Sequence, residues 1–271
     1  MALDPDREVY PNAPLQFVAF EVRFPASPPL ATEDLRRQLF EALRSTFPIS
    51  QSAPGPVEVQ IMPGAQPLVQ SAGDQLQMVD RARKRAVTVG TRALLVQTTD
   101  YTRYEVFAEW VDLAVRALEA TGEAAAMERI GLRYTDEIRI PGVERPADWA
   151  PYVASALQGP IDLLSDTDAI TTQGLVEFAP AERQRLVVRY GAARGWMVAP
   201  QGFLRTKSSE SGPYFLIDLD SFWTAPEDEL PEFVADEILR ICDELHAPVR
   251  VAFEAAITEK LRNDVLRGES A

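Results

Sequence analysis

Apolar and polar residues alternate along several short segments of the chain, a period that predicts β-strands. The first such segment covers residues 15–24 and lies between Pro14 and Pro25, which mark its two ends. The same pattern predicts strands over eight further segments: residues 57–61, 75–79, 86–89, 94–98, 127–140, 170–178, 185–190 and 214–220.

Apolar residues spaced three or four apart predict the helices. Leu35, Leu39 and Leu43 form one such stripe, and Thr32 before them is a favoured N-cap residue. Further helices are predicted over residues 104–120, 149–157, 230–245 and 249–265. Pro248 separates the last two, because a proline inside a helix removes a hydrogen bond and clashes with the preceding turn.

The order of these elements indicates the fold class. Strands arrive in runs between single helices, which is typical of an α+β fold with mostly antiparallel sheet packed against a few helices. The second part of the chain resembles the first in the order of its elements. We therefore expect two similar α+β halves, residues 1–145 and 146–271, which share one core and end in a helical C-terminus.

The chain is strongly acidic. Among its 271 residues, 41 acidic and 27 basic side chains give a net charge of −14. This balance disfavours nonspecific binding to nucleic acid or anionic lipid, which requires a basic surface, and it suits a basic protein partner. No apolar run approaches the roughly 20 residues of a membrane span, and the first residues lack an apolar leader. We therefore expect no membrane partner and a cytoplasmic location.

Histidine and cysteine each occur once, as His246 and Cys242. A zinc site built from these residue types needs three or four of them and is therefore excluded. Catalysis near neutral pH draws heavily on both, so the composition favours a protein without enzymatic activity, catalytic residues or a cofactor. We expect His246 to lie at a helix end and Cys242 to be buried on an apolar stripe.

Two aspartates form the best acidic pair in the sequence. Asp218 and Asp220 are two residues apart in a predicted strand, so both carboxylates point to the same face. Together with a third acid, such as Glu177 or Glu21, they would suit Mg²⁺. The alternative is ion pairing across the sheet, for which three arginines are available: Arg23, Arg133 and Arg189.

Two arginines likewise point to the same face of the predicted strand over residues 127–140. Arg129 and Arg133 share one face and would clamp a phosphate or a carboxylate, and Tyr134 adjoins them as a third ligand-binding candidate. Gly131 between them would let a ligand or a backbone approach. The alternative is again pairing with neighbouring acids, namely Glu21, Asp136 or Glu137.

A combined pattern occurs at four places in the chain: YPNAPL and FEVRF within residues 10–24, RIGLRY at 129–134, IDLDSF at 217–222 and FEAAITEKLR at 253–262. It resembles a sporadically distributed family of uncharacterised bacterial proteins, and the resemblance spans residues 10–262. One departure is Ala247-Pro248 directly after His246. The resemblance implies no activity or catalytic residue, and the patchy distribution of such proteins is similar to that of mobile defence and toxin–antitoxin genes.

Three functions follow as hypotheses. The first is a non-catalytic accessory protein that binds another protein, for example as the antitoxin or immunity component of a mobile defence system, with a homodimer as a further expectation. The second is a carboxylate-dependent, Mg²⁺-requiring enzyme that acts on nucleotides or nucleic acid through Asp218 and Asp220. The third is a sensor of a small anionic ligand that uses Arg129, Arg133 and Tyr134.

Overall fold

One antiparallel sheet of nine strands organises the fold. The computed structural model describes residues 9–54, 57–60, 68–71, 74–164, 166–195, 204–206 and 211–268. Helices pack on one face of this sheet, so the α+β class expected from the sequence is confirmed. No helix among the described residues combines the length and the apolar character needed to cross a membrane.

The strands are, in chain order, β1 Leu15–Arg23, β2 Ile49–Pro54, β3 Val57–Gln60, β4 Leu68–Ser71, β5 Asp74–Val79, β6 Arg85–Val89, β7 Ala93–Thr98, β8 Arg129–Ile138, β9 Gly174–Phe178, β10 Gln184–Gly195 and β11 Gly212–Thr224. Their order in the main sheet is β2-β5-β6-β7-β1-β8-β11-β10-β9, and β3 and β4 form a separate hairpin. Because β1 and β8 pair with each other in the middle, the strands that flank them on the left and on the right form one continuous sheet over one hydrophobic core.

The helices are α1 Glu33–Leu43, α2 Tyr104–Glu119, α3 Ala235–Ala256 and the short α4 Glu259–Leu261, which continues into a π-helical turn over Arg262–Leu266. The predicted helix over residues 149–157 is wrong. Two 3-10 turns, Pro146–Trp149 and Ser155–Leu157, occupy this region. The two turns are separated by Ala154, whose backbone is not helical (φ −57°, ψ 143°).

The core lies between the sheet and the helices. Phe20, Leu132 and Leu219 are fully buried on the central strands, and Phe107 on α2 and Leu245 on α3 cover them from above. Each such side chain contributes roughly 1.5–3 kcal/mol when it is removed from water. The apolar stripes read from the sequence therefore form the contact between the helices and the sheet, which we call the helix-covered face. The other side of the sheet is the polar face.

Helix α3 continues through Pro248, and the expected break there is wrong. The helix ends instead at Ile257, whose backbone is extended. Ile241, Leu245 and Val249 are buried in a row that passes the proline. Packing of this row on β8 and β11 offsets the hydrogen bond that Pro248 cannot donate. His246 therefore lies inside a 22-residue helix rather than at a helix end.

Candidate functional site

The candidate residues of β8 lie on two different faces of the sheet. Arg129 and Arg133 are on the polar face, because side chains alternate along a strand. Tyr134 points to the helix-covered face, where it is buried and contacts His246. The structure therefore separates Tyr134 from the two arginines, and each face has to be considered on its own.

Asp218 is the centre of a charge cluster on the polar face. Its side chain is only 2% exposed, and both of its oxygens accept hydrogen bonds from Arg133, at 2.7 and 2.8 Å. Arg189 donates to it from β10 at 3.3 Å, and the Thr135 hydroxyl donates at 3.1 Å. The cross-strand pairing of Asp218 that the sequence offered as an alternative is confirmed.

Arg129 is engaged in the same way. Its guanidinium donates to Glu21 on β1 at 3.1 Å and lies 3.6 Å from Asp220 on β11. A Cβ atom at Gly131 would lie 2.7 Å from Nη1 of Arg129. Gly131 thus gives room to the Arg129 side chain itself, which crosses the strand to reach its acidic partners.

The acidic residues of the polar face are therefore paired with arginines. Glu177, one of the two proposed third acids, lies 3.4 Å from Arg185, and Glu21 is held by Arg23 as well as by Arg129. Within the described ranges, no group of three or more histidine, cysteine, aspartate or glutamate side chains is arranged to hold a metal ion. The cluster as described acts as a network of ion pairs that ties β1, β8, β11 and β10 together.

A cavity of about 830 Å³ lies on the helix-covered face, and we call it the His246 cavity. Six segments that are distant in sequence line it: the chain leading into β1, the loop before α2, the second half of β8, Leu219 on β11, the second half of α3 and the turns after it. His246, Val249, Arg250 and Phe253 all come from α3, because residues three, four and seven apart share one side of a helix.

Aromatic rings surround the imidazole of His246. The ring of Tyr104 stacks on it at 4.0 Å with an angle of 2° between the planes. Nδ1 of His246 lies 3.2 Å from the hydroxyl oxygen of Tyr134, and the Tyr101 hydroxyl lies 3.5 Å beyond that. The rings of Tyr101 and Tyr134 meet edge to face at 5.5 Å. Two tyrosines, Tyr104 and Tyr134, thus contact the imidazole, and Tyr101 packs against Tyr134 behind it.

Burial keeps Tyr104 and Tyr134 protonated. It raises the pKa of Tyr134 well above its usual range, and the neighbouring Tyr101 adds to the effect. It also raises the pKa of Tyr104, whose hydroxyl donates to Asp243 at 2.7 Å. Both hydroxyls therefore act as hydrogen-bond donors across the physiological range and not as bases.

Cys242 adjoins this cluster without offering a nucleophile. It is a free, buried thiol that receives a contact of 3.4 Å from the Tyr104 hydroxyl, so the predicted burial is confirmed. Burial raises the pKa of its thiol to about 12. A thiol that remains protonated is inert as a nucleophile and as a metal ligand.

Basic residues outnumber acidic residues in the lining of the cavity, whereas acidic residues outnumber basic ones in the whole chain. Four arginines and three acidic residues contribute to the lining: Arg103, Arg250, Arg262, Arg267, Asp136, Glu254 and Glu259. Arg262 donates to Glu254 at 3.1 Å and to Glu259 at 2.6 Å. Arg103 is exposed, and no ion pair with a described residue engages its guanidinium. Arg103 is therefore placed to meet an anion.

The segment before β1 forms one wall of the cavity and is fastened to the end of the chain. The Tyr10 hydroxyl donates to Glu254 at 3.1 Å. The Asn12 amide donates to the Leu266 carbonyl at 3.1 Å, and its side-chain nitrogen donates to the Val265 carbonyl at 3.2 Å. These bonds connect residues 10–12 to residues 254–266 around the cavity.

The sequence predicts Tyr134 as a ligand-binding candidate, but it does not point to the residues around Tyr134. The interpretation of His246 as a helix-end residue removed it from the candidates, and Tyr101, Tyr104 and Asp243 were not singled out. One signal was present: Cys242 and His246 are four residues apart, on the buried side of one predicted helix. Polar residues on such a stripe require buried partners.

A scan of protein-family models and a search of curated proteins each give no match to this chain. The function is therefore inferred from the geometry of the His246 cavity.

Proposed function

We propose that this protein binds a small anionic ligand with an aromatic or heterocyclic ring in the His246 cavity, and acts as a non-catalytic sensor of it. One observation carries the proposal: a cavity of about 830 Å³ is lined by the imidazole of His246, by Tyr101 and Tyr134, and by more arginines than acids, in a chain of net charge −14. The volume lies within the range of about 300–1,000 Å³ that is common for small-molecule sites.

The lining indicates what the ligand has to offer. Tyr101, Phe253 and the imidazole of His246 present ring faces and edges, which suit a planar ring. Arg103 supplies a guanidinium for a carboxylate or a phosphate. The Tyr134 hydroxyl also lines the cavity and is hydrogen-bonded to Nδ1 of His246. A ring and a negative charge in one small molecule satisfy both sets of groups.

The anion-sensor hypothesis thereby moves from the polar face to the helix-covered face. Of its three residues, Tyr134 lines the cavity, whereas Arg129 and Arg133 are committed to Glu21 and Asp218. The carboxylate-dependent enzyme remains an untested prediction, and the pairing of Asp218 with two arginines does not favour it.

A thermal-shift series with four probes tests the proposal. Adenosine monophosphate and benzoate carry a ring and a negative charge, adenosine carries the ring alone, and inorganic phosphate carries the charge alone. We expect a rise in Tm with at least one of the first two and a much smaller rise with the others. A free probe concentration of a hundred times Kd raises the free energy of unfolding by about 2.7 kcal/mol.

Matched arginine variants locate the effect. Arg103→Ala removes a cation of the cavity, whereas Arg92→Ala removes an exposed arginine outside it that likewise has no ion pair with a described residue. We expect Arg103→Ala to weaken binding of the active probe about tenfold or more and Arg92→Ala to leave it unchanged. The proposal of a ligand site in the His246 cavity fails if neither aromatic anion raises Tm, or if Arg103→Ala and Arg92→Ala bind the probe equally well.

Binding of a basic partner protein is a second candidate. The segment over residues 227–237 carries six acidic side chains, five of them exposed and Glu237 partly buried: Glu227, Asp228, Glu229, Glu232, Asp236 and Glu237. Such a segment attracts a basic surface, in keeping with an antitoxin or immunity role. Native pull-down at rising salt tests it. Reversal of three charges to lysine at residues 227–229 should release the partner, whereas the same reversal at Glu33, Glu41 and Glu109 should not.

The arrangement of the sheet supports a proposal of two similar halves. On one side of the centre, β1 is followed outward by β7, β6 and β5, and α2 comes after them in the chain. On the other side, β8 is followed by β11, β10 and β9, and α3 comes after them. Under this proposal, the correspondence favours a boundary between α2 and β8, upstream of the boundary at residue 145 that the sequence predicts. We also propose a cytoplasmic location, which the single, buried Cys242 favours.

A further inference from the structure

We propose that β9 pairs antiparallel with β9 of a second copy of this chain and joins two sheets into one. β9 is the last strand of the sheet, and no described strand pairs with its outer edge. Besides Glu177, it carries three apolar side chains that remain exposed, on both faces of the sheet: Leu175 by 60%, Val176 by 40% and Phe178 by 51%. An exposed apolar edge is a template for another strand.

The opposite edge of the same sheet has a different character. β2 carries Ser50, Gln51 and Ser52 and ends at Pro54. Proline is one of the usual means of keeping an edge strand from pairing with other chains, because it has no amide hydrogen to donate. The sheet is thus protected at β2 and open to pairing at β9. That difference is expected if only the β9 edge is covered in the functional assembly.

The sequence of β9 is complementary to itself. In an antiparallel pair with Val176 opposite its own copy, Leu175 faces Glu177 and Gly174 faces Phe178 of the second copy. No two like charges stand opposite each other. Gly174 is already covered by Tyr190, since a Cβ atom there would lie 2.4 Å from its ring. Phe178 of the second copy would cover the same glycine from the other side, as aromatic residues do at edge glycines.

The charged side chains near this edge already have partners within one chain. Glu177 lies 3.4 Å from Arg185, and Arg189 donates to Asp218 at 3.3 Å. A second copy therefore has to supply no counter-charge at this edge. In the proposed register it covers the exposed apolar side chains of β9 with the same side chains of its own β9.

The oligomeric state in solution is the first test. Sedimentation or light scattering of the untagged full chain should show a dimer. Val176→Lys places two lysines opposite each other at the two-fold axis of the pair and should raise the dimer dissociation constant about tenfold or more. Leu230→Lys is the matched control, because Leu230 is also 40% exposed but lies outside the sheet. Circular dichroism confirms that both variants fold.

Cysteine cross-linking tests the register. Val176→Cys should form a disulfide-linked dimer on mild oxidation, because directly opposed residues meet the geometry of a disulfide. Phe178→Cys should not, since its copies would be about 13 Å apart along the strands. The native Cys242 is buried and does not compete. A monomer, a dimer that survives Val176→Lys, or equal cross-linking at both positions would overturn the proposal.

Discussion

Single residues around His246 determine how stability depends on alkaline pH. Burial raises the pKa of Cys242 to about 12, whereas an unfolded cysteine ionises near 8.5. Burial likewise raises the pKa of Tyr104 and Tyr134 above the value of about 10 for an unfolded tyrosine. Above these unfolded values the native state binds more protons than the unfolded state, so stability falls as pH rises.

We therefore predict a full free energy of unfolding below about pH 8.5 and a decline of up to about 1.4 kcal/mol per pH unit and per group above it. Urea denaturation between pH 7 and pH 11 measures this slope. Cys242→Ala and Tyr104→Phe should each make it shallower. Tyr214→Phe, a substitution on the polar face, should not. A slope that is the same in all four proteins would contradict the burial of this cluster.

The ion pairs of the polar face make a second residue-scale prediction. Arg133→Ala leaves the buried Asp218 carboxylate with fewer donors, and we expect it to cost about 1–3 kcal/mol of unfolding free energy. Adding Asp218→Asn should recover part of this loss, because the charge that needs the arginine is gone. Arg37→Ala breaks the exposed pair with Asp34 and should cost less than about 0.5 kcal/mol. Equal losses in both arginine variants would show that Asp218 is not buried.

Two glycines should differ in their tolerance of a methyl group. A Cβ atom at Gly191 would lie 2.1 Å from the Thr172 carbonyl oxygen, so the backbone has to move. Overpacking of this kind costs about 1–3 kcal/mol. At Gly131 the nearest atom is the end of the flexible Arg129 side chain, which can swing away. Gly191→Ala should therefore lower Tm clearly more than Gly131→Ala, and the reverse order would be incompatible with the described path of residues 172–173.

Local pattern predicts the ion pairs but not the cavity. Alternation in β8 places Arg129 and Arg133 on one side of a strand, and arginines there need acids on the neighbouring strands. The cavity depends on six segments that meet only in three dimensions, such as Tyr10 against Glu254 and Tyr134 against His246. No periodicity within one segment contains that information.

At the scale of elements, α3 shows tertiary packing overriding a local signal. Pro248 predicts an end to the helix, yet the buried stripe continues from Leu245 to Val249 and keeps it helical. The meander of β5, β6 and β7 and the helix α2 follow the sequence pattern closely, because their apolar positions repeat without interruption. Residues 149–157 do not, because the backbone leaves the helical conformation at Ala154.

Pro248→Ala should stabilise α3. The new amide can donate to the Glu244 carbonyl four residues earlier, and proline costs about 3 kcal/mol relative to alanine in a helix interior. The unfolded chain regains about 0.4–1 kcal/mol of entropy that the proline had removed, so we expect a net gain of up to about 2–2.6 kcal/mol. Thermal or urea unfolding measures it. A loss of stability would mean that the packing of α3 depends on the proline.

At the scale of the whole molecule, the sheet order is the feature that sequence could not provide. The fold class followed from the succession of elements, whereas the neighbouring positions of β1 and β8 join strands more than 100 residues apart. That pairing brings the beginning of the chain beside the end of β8. Helix α3 then closes over both, so the His246 cavity is a product of the topology.

The most direct measurement uses the fact that the chain has one histidine. In untagged protein labelled at the imidazole, His246 gives a single set of ring signals in an NMR spectrum. We predict that adenosine monophosphate or benzoate shifts these signals in a saturable manner, that phosphate alone does not, and that Arg103→Ala weakens the response. Signals that stay unchanged with both aromatic anions would contradict a ligand site at the His246 cavity.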